Sequence, residues 1–202
     1  MLEALTGTGL ATAAGLNAYI PLLIVGLLSR FTDLITLPDG WRWLQNPWVL
    51  GILGVLLAVE VVADKIPVVD HINDVVQTVV RPTAGGLVFG ATSSAQTVTV
   101  SNPDSFFSHN RWVPVLGGIV LALLVHGTKA AARPVINGLT LGTGAPVAST
   151  IEDGVSVSVS LVAILLPVLV LFFLAGLIAL MVWLARRRRA RSRTRHPVPD
   201  PH

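Results

Sequence analysis

The chain contains no cysteine, which excludes disulfides, thiolate nucleophiles and cysteine-ligated metals, and removes any inference about redox compartment. Charge is scarce too. Only 12% of the 202 residues are Asp, Glu, Lys or Arg, against roughly 25% in soluble domains. With 52% hydrophobic residues and a mean hydropathy of +0.73, this excludes an ordinary globular enzyme. A Walker loop, a dinucleotide fingerprint, an EF-hand loop and a helical His/Glu metalloenzyme signature are all missing. The early GTGLATAAG is glycine-rich but follows no strand. No nucleophile–base pair or metal constellation is visible, so no catalytic residue, cofactor or metal is expected and the chain does not read as an enzyme.

What is present is membrane-type sequence. About 20 apolar residues cross a hydrocarbon core of about 30 Å, so the length leaves room for about four to six spans and no sizeable soluble domain. The natural reading is an all-α polytopic helical bundle over residues 1–185 with a basic, disordered cytoplasmic tail over 186–202. The net charge of +3 and pI near 10.2 come largely from that tail, where Arg186, Arg187, Arg188, Arg189, Arg191, Arg193 and Arg195 cluster. A basic tail can bind nucleic acid. Directly after a long apolar helix it is far more often the cytoplasmic flank of the positive-inside rule, so the expected partner is the lipid bilayer and not nucleic acid. The N-terminus, with Glu3 and no basic residue, does not fit a cleavable signal peptide.

In chain order, Leu5 to Leu28 is uncharged, with small residues filling its first half. Small residues allow close helix packing in lipid, so this half should lie inside the bundle. Asn17 and Pro21 interrupt its middle, Pro21 as a kink and Asn17 as a bond to a neighbouring helix or a substrate contact. Residues 30–47 hold the turn Pro38-Asp39-Gly40 and tryptophans suited to the headgroup level. A second helix opens at Trp48 and must continue past Glu60 to about Lys65 to span, which puts Glu60 at membrane depth. Pro67 breaks it. Asp70, Asp74, Gln77 and Arg81 follow at spacings of four, three and four, one polar helical face opposite a valine-rich one. Pro82, Gly85, Gly86 and Gly90 then mark a short Gly/Pro-rich segment. Residues 92–111 read as an exposed loop with a short extended piece at QTVTV.

The third apolar helix begins near Trp112. His126, Lys129, Arg133 and Asn137, spaced three, four and four, form a second polar stripe, with Pro134 bending it. A second glycine-rich segment follows at GLTLGTGAPVAST. Ser149 and Glu152 stand in capping-box spacing before a last long helix from about Gly154 to Ala185. Its VSVSVS stretch alternates like a strand, but lies in so long an apolar segment that a helix with serines bonding back or across is expected.

Residues 54–65 and 118–129 align at Gly, Leu, Ala, Val and Lys, and each is followed by a Pro and a Gly-rich short segment. This suggests an internal repeat, a plan that transporters use to build binding sites from broken helices. The two readings of the short segments differ in topology. If they cross, there are six membrane segments, with both termini and Lys65, Lys129 and Arg133 inside. If they are re-entrant there are four, with Lys129 and Arg133 outside. Positive-inside counting favours six.

A charge at a helix centre costs about 2.5–3.5 kcal/mol on the insertion scale. Within the two charged segments the count is even, Glu60, Asp64, Asp70 and Asp74 against Lys65, Arg81, Lys129 and Arg133. The first copy is acid-rich and the second base-rich, so adjacent packing could pair the charges and simply hold the bundle together. The alternative is a proton- or cation-binding site at Glu60 and Asp64, four apart on one face, with His126 nearby.

The combination GLATAAGLNAYIPLL, then VEVVADKIPVVDHINDVVQTVVRPTAGG, then GTGAPVAS resembles a family of small bacterial integral-membrane proteins known only as a domain of unknown function. The resemblance covers roughly residues 4–182, is most specific at ADKIP-xx-D and RP-x-AG, and leaves the arginine tail outside. It implies a multi-pass bacterial plasma-membrane protein and carries over no catalytic residue. The function expected is a small transporter or channel-like protein for protons, cations or a small solute, with a membrane scaffold or assembly partner as the alternative and homo-oligomerisation left open.

Overall fold

The computed structural model describes residues 2–65, 67–93, 112–140, 144–167 and 169–193, and every regular element among them is helical. In order these are α1 (Leu2–Leu16), α2 (Tyr19–Phe31), a 3-10 helix (Asp39–Gln45), α3 (Pro47–Ala63), α4 (Pro67–Ser93), α5 (Trp112–Thr140), α6 (Gly144–Leu165) and α7 (Leu169–Arg193). The extended piece expected at QTVTV lies outside the described residues.

The first apolar stretch is two helices, and the break falls at Asn17 and not at Pro21. Asn17 Oδ1 accepts from the backbone N–H groups of Tyr19 and Ile20 at 3.0 and 3.2 Å, so it caps α2. Pro21 sits in the first turn of α2, where its missing N–H costs no helical bond. Asn46 caps α3 in the same way, accepting from Trp48 N at 2.9 Å, with Pro47 in the first turn. The 3-10 helix and α3 meet at 58° across it.

The Gly/Pro-rich segment after Arg81 is not a short separate piece. It is the second half of α4, which runs 27 residues through Pro82. At 1.5 Å per residue α4 and the 29-residue α5 are each about 40 Å long. Conversely, the long last helix expected from Gly154 to Ala185 is two. Pro167 lacks an N–H and its ring crowds the carbonyl four residues back, so α6 ends at Leu165 and α7 begins at Leu169. Ser149 and Glu152 therefore do not cap a helix but lie within α6. VSVSVS is helical, with Ser158 bonding back to Gly154 O and Ser156 across to Ala13 O. The two stretches aligned as a repeat also differ. The chain turns at Asp64-Lys65, whereas α5 continues unbroken through Lys129 and Pro134.

Residues 1–170 form one compact unit. Within it α1 packs on α4, α5 and α6, and α4 packs most extensively on α5. The contacts depend on small residues. A Cβ added at Gly118 would lie 2.3 Å from Gly85 O, and one at Gly15 would lie 2.7 Å from Ala122 O. Gly86 faces Val115 and Ile119 at similarly close range. In the second unit, residues 171–202, α7 carries its helix through Arg193, so the first arginines of the tail continue the helix.

The distribution of side chains is inverted relative to a soluble domain. Among the most exposed apolar residues are Ile52, Val55 and Val59 of α3, Val75 and Val79 of α4, and Val120 and Leu124 of α5, whereas Glu60, Asp64, Gln77, Arg81, His126, Lys129 and Arg133 are buried. Among the described residues two helices, spanning Trp112–Arg133 and Pro146–Leu165 in their apolar parts, are long and apolar enough to cross a membrane, or three if the 3-10 helix and α3 count as one bent span.

Candidate functional site

Buried polar groups of α3, α4, α5 and α6 converge into one ladder. At its inner end Arg81 of α4, fully buried, donates from Nη2 to Glu60 Oε1 of α3 at 3.0 Å. Its Nη1 lies 3.1 Å from His126 Nδ1 of α5, and the other ring nitrogen of His126 lies 3.1 Å from Thr78 Oγ1. Because an arginine N–H can only donate, Nδ1 accepts there. That places the ring proton of a neutral His126 on Nε2, donating to Thr78, while Thr78 donates to Asp74 O at 2.9 Å.

One turn along, Asp64 closes the C-terminus of α3. Ser149 Oγ donates to its Oδ2 and Asn73 Nδ2 to its Oδ1, both at 2.8 Å. Lys129 Nζ stands 3.8 Å from Asp64 and 2.6 Å from Glu152 Oε2. At the outer end Arg133 is shared by Asp64 (3.7 Å), Asp74 (3.4 Å) and Glu152 (3.6 Å). The side chains of Asp74 and Glu152 are 20% and 18% exposed, while those of Glu60 and Arg81 are 1% and 0%. The ladder thus grades from a partly open end to a sealed one. Periodicity builds it, because His126, Lys129 and Arg133 fall on one face of α5, and Asp74, Gln77, Thr78 and Arg81 on one face of α4.

Of the residues singled out in the sequence, Glu60, Asp64, Asp74, Arg81, His126, Lys129 and Arg133 come together here. Lys65 is exposed, with its Nζ 3.4 Å from Thr150 Oγ1. Pro67 starts α4, and Gly85 and Gly86 serve the α4–α5 crossing. Asn17 does bond a neighbouring helix, donating to Asp153 Oδ1 at 2.9 Å. The side chains of Asp70 and Asn137 lie outside the described ones. Sequence reasoning missed Asn73, Thr78, Ser149, Glu152 and Asp153. The signal was there in α6, where Glu152 and Asp153 are the only charges, but a capping-box reading absorbed it. Among the described residues no group of three or more His, Asp or Glu side chains is placed to hold a metal ion.

Helical elements throughout the described residues, an apolar exterior, charges turned inward and two or three helices able to span are consistent with a membrane protein. The chain belongs to the family described as a domain of unknown function (DUF4126), which matches residues 4–187. No curated protein and no solved structure matches the chain.

Proposed function

We propose that this is a multi-pass protein of the bacterial plasma membrane that passes protons, or another small cation, along the ladder from Asp74 and Glu152 inward to Glu60. The observation that carries the reading is the grading of the ladder. Ionisable groups on four helices form a partly exposed cluster, Asp64–Lys129–Glu152–Arg133–Asp74, and a sealed one, Glu60–Arg81–His126, joined through Thr78, and intramembrane ionisable groups mark ion and proton pathways. Arg133 is shared among three carboxylates, so partners can exchange without a new charge entering the bundle. The element order accommodates six crossings, with α1 and α2 forming one broken segment and α3 to α7 one each. An even number returns the arginine-rich end to the side of the N-terminus, which positive-inside counting makes the cytoplasm.

The test is proton and monovalent-cation flux in liposomes containing the full chain. Glu60→Gln and Asp64→Asn are expected to abolish flux that the wild type supports. Equal flux in all three removes these carboxylates from the mechanism. A second reading, a membrane scaffold whose charges only join helices, is favoured by one observation. Each base of the ladder has a carboxylate within 4 Å: Arg81 has Glu60, Lys129 has Glu152, and Arg133 has Asp74. It expects no flux, and a stable partner that co-purifies.

A further inference from the structure

Three polar atoms at the inner end of the ladder have no hydrogen-bond partner among the described residues: Glu60 Oε2, Gln77 Oε1 and Arg81 Nε. All three residues are at least nine-tenths buried, at 2%, 2% and 0% exposure. Arg81 links them: Gln77 and Arg81 are four apart on α4 and so share one face, and Arg81 holds Glu60 through the other carboxylate oxygen, while Tyr19 at the start of α2 is close enough to feel the charges of Glu60 and Arg81. Leaving one such group unsatisfied costs about 1–3 kcal/mol, more where it is charged. A direct bond between Glu60 and Gln77 cannot satisfy both oxygens of an ionised pair, because carboxylate and amide oxygens both only accept.

Two acceptors and one donor are the complement of a single water molecule, which donates twice and accepts once, and buried waters typically make about three hydrogen bonds. A metal ion fits less well, because the Arg81 guanidinium that holds the carboxylate would repel it. We propose that Glu60, Gln77 and Arg81 enclose an internal hydration site, bordered by Tyr19 and the α1–α2 break, in which one water donates to Glu60 Oε2 and Gln77 Oε1 and accepts from Arg81 Nε. The Glu60–Arg81 pair is then a hydrated pair and not a dry one. The site stands on this geometry. Only its use in moving protons to or from Glu60 depends on the transport reading. The charged and titratable groups around Glu60 that would govern that use are Arg81, Asp64, Lys129 and Tyr19, with His126 on the far side of Arg81.

The experiment is infrared difference spectroscopy of the full chain in liposomes, recorded between acidic and alkaline pH in ordinary and oxygen-18 water. The wild type is expected to show an isotope-sensitive O–H stretching band of a weakly bonded internal water, and Gln77→Leu to lose it. A wild-type spectrum without such a band, or one unchanged in Gln77→Leu, overturns the site. If Gln77→Leu does not fold, a high-resolution experimental structure of the wild type decides. Density for a water bonded to the three atoms supports the site, and Glu60 packed directly on Gln77 without room for a water overturns it. Band present with no proton flux would leave the hydration site standing and remove the transport reading, whereas flux without the band would do the reverse.

Discussion

Arg81 is the residue on which two helices besides its own depend, since it bonds Glu60 of α3 and His126 of α5 with no exposure to solvent. Removing one member of a buried pair leaves the other charged and unpaired, at a cost of about 3–5 kcal/mol, whereas replacing both by apolar groups is often neutral. Arg81→Leu is therefore expected to lower stability by about that amount. Glu60→Leu combined with Arg81→Leu should recover most of it, with chemical denaturation in detergent as the measurement. A double variant as unstable as Arg81→Leu alone would show that His126 and the groups around it need the guanidinium for itself. At Asn17 two roles coincide. Asn17→Ala loses the α2 cap, worth about 1 kcal/mol, and strips Asp153 of its donor. The stripes containing these residues were legible in the sequence because their three- and four-residue spacing lies in one polar run. That Glu60 pairs with Arg81 of its own half, and not with Lys129 or Arg133, was not legible. Spacing says which face a side chain occupies but not which helix faces it.

Between elements, the α4–α5 crossing decides how closely the two halves of the ladder approach. Gly118 and Gly85 meet backbone to backbone, whereas an added Cβ at the adjacent Gly117 meets nothing within 4 Å. Gly118→Ala is expected to cost about 1–3 kcal/mol by overpacking, and Gly117→Ala to be neutral or to stabilise by about 0.5–1 kcal/mol through helix propensity. Melting temperatures of both variants in the same detergent test the contrast, and equal shifts would mean that the helices do not cross at Gly85. Helix ends show why sequence reading succeeds at some breaks and fails at others. Asn17, Asn46 and Pro67 supply a cap or a first-turn proline, so α2, α3 and α4 start where local chemistry favours a start. Pro82 and Pro167 are chemically the same residue, yet α4 continues through the first and the chain breaks at the second. Gly85 and Gly86, one turn after Pro82, bring α5 against the helix, and that packing holds it together. A single sequence shows the proline but not the neighbour that overrides it.

For the whole molecule, the scarcity of charge and the long apolar stretches were legible from composition, but the topology was only weakly so, because Lys129 and Arg133, two of the charges that positive-inside counting relies on, are buried in the ladder. The absence of cysteine makes topology measurable without background. Gly40, Lys65 and Gly138 are exposed, and an added Cβ at Gly40 or Gly138 meets nothing within 4 Å, so single cysteines there should not disturb the fold. Six crossings with a cytoplasmic N-terminus place the 3-10 helix outside and the α3–α4 and α5–α6 turns inside. An impermeant maleimide added to intact cells should therefore label Gly40→Cys, and should label Lys65→Cys and Gly138→Cys only after permeabilisation. Gly138 is the discriminating position. If α4 does not cross the membrane, α5 runs outward, its C-terminal end and the bases leading to it face outward, and Gly138→Cys reacts in intact cells. Because Arg133 lies 3.7 Å from Asp64, the neighbour of Lys65, labelling of Gly138→Cys but not Lys65→Cys in intact cells would overturn the ladder's pairing, whereas labelling of both would turn its partly exposed end away from the cytoplasm and reverse the side from which protons would enter.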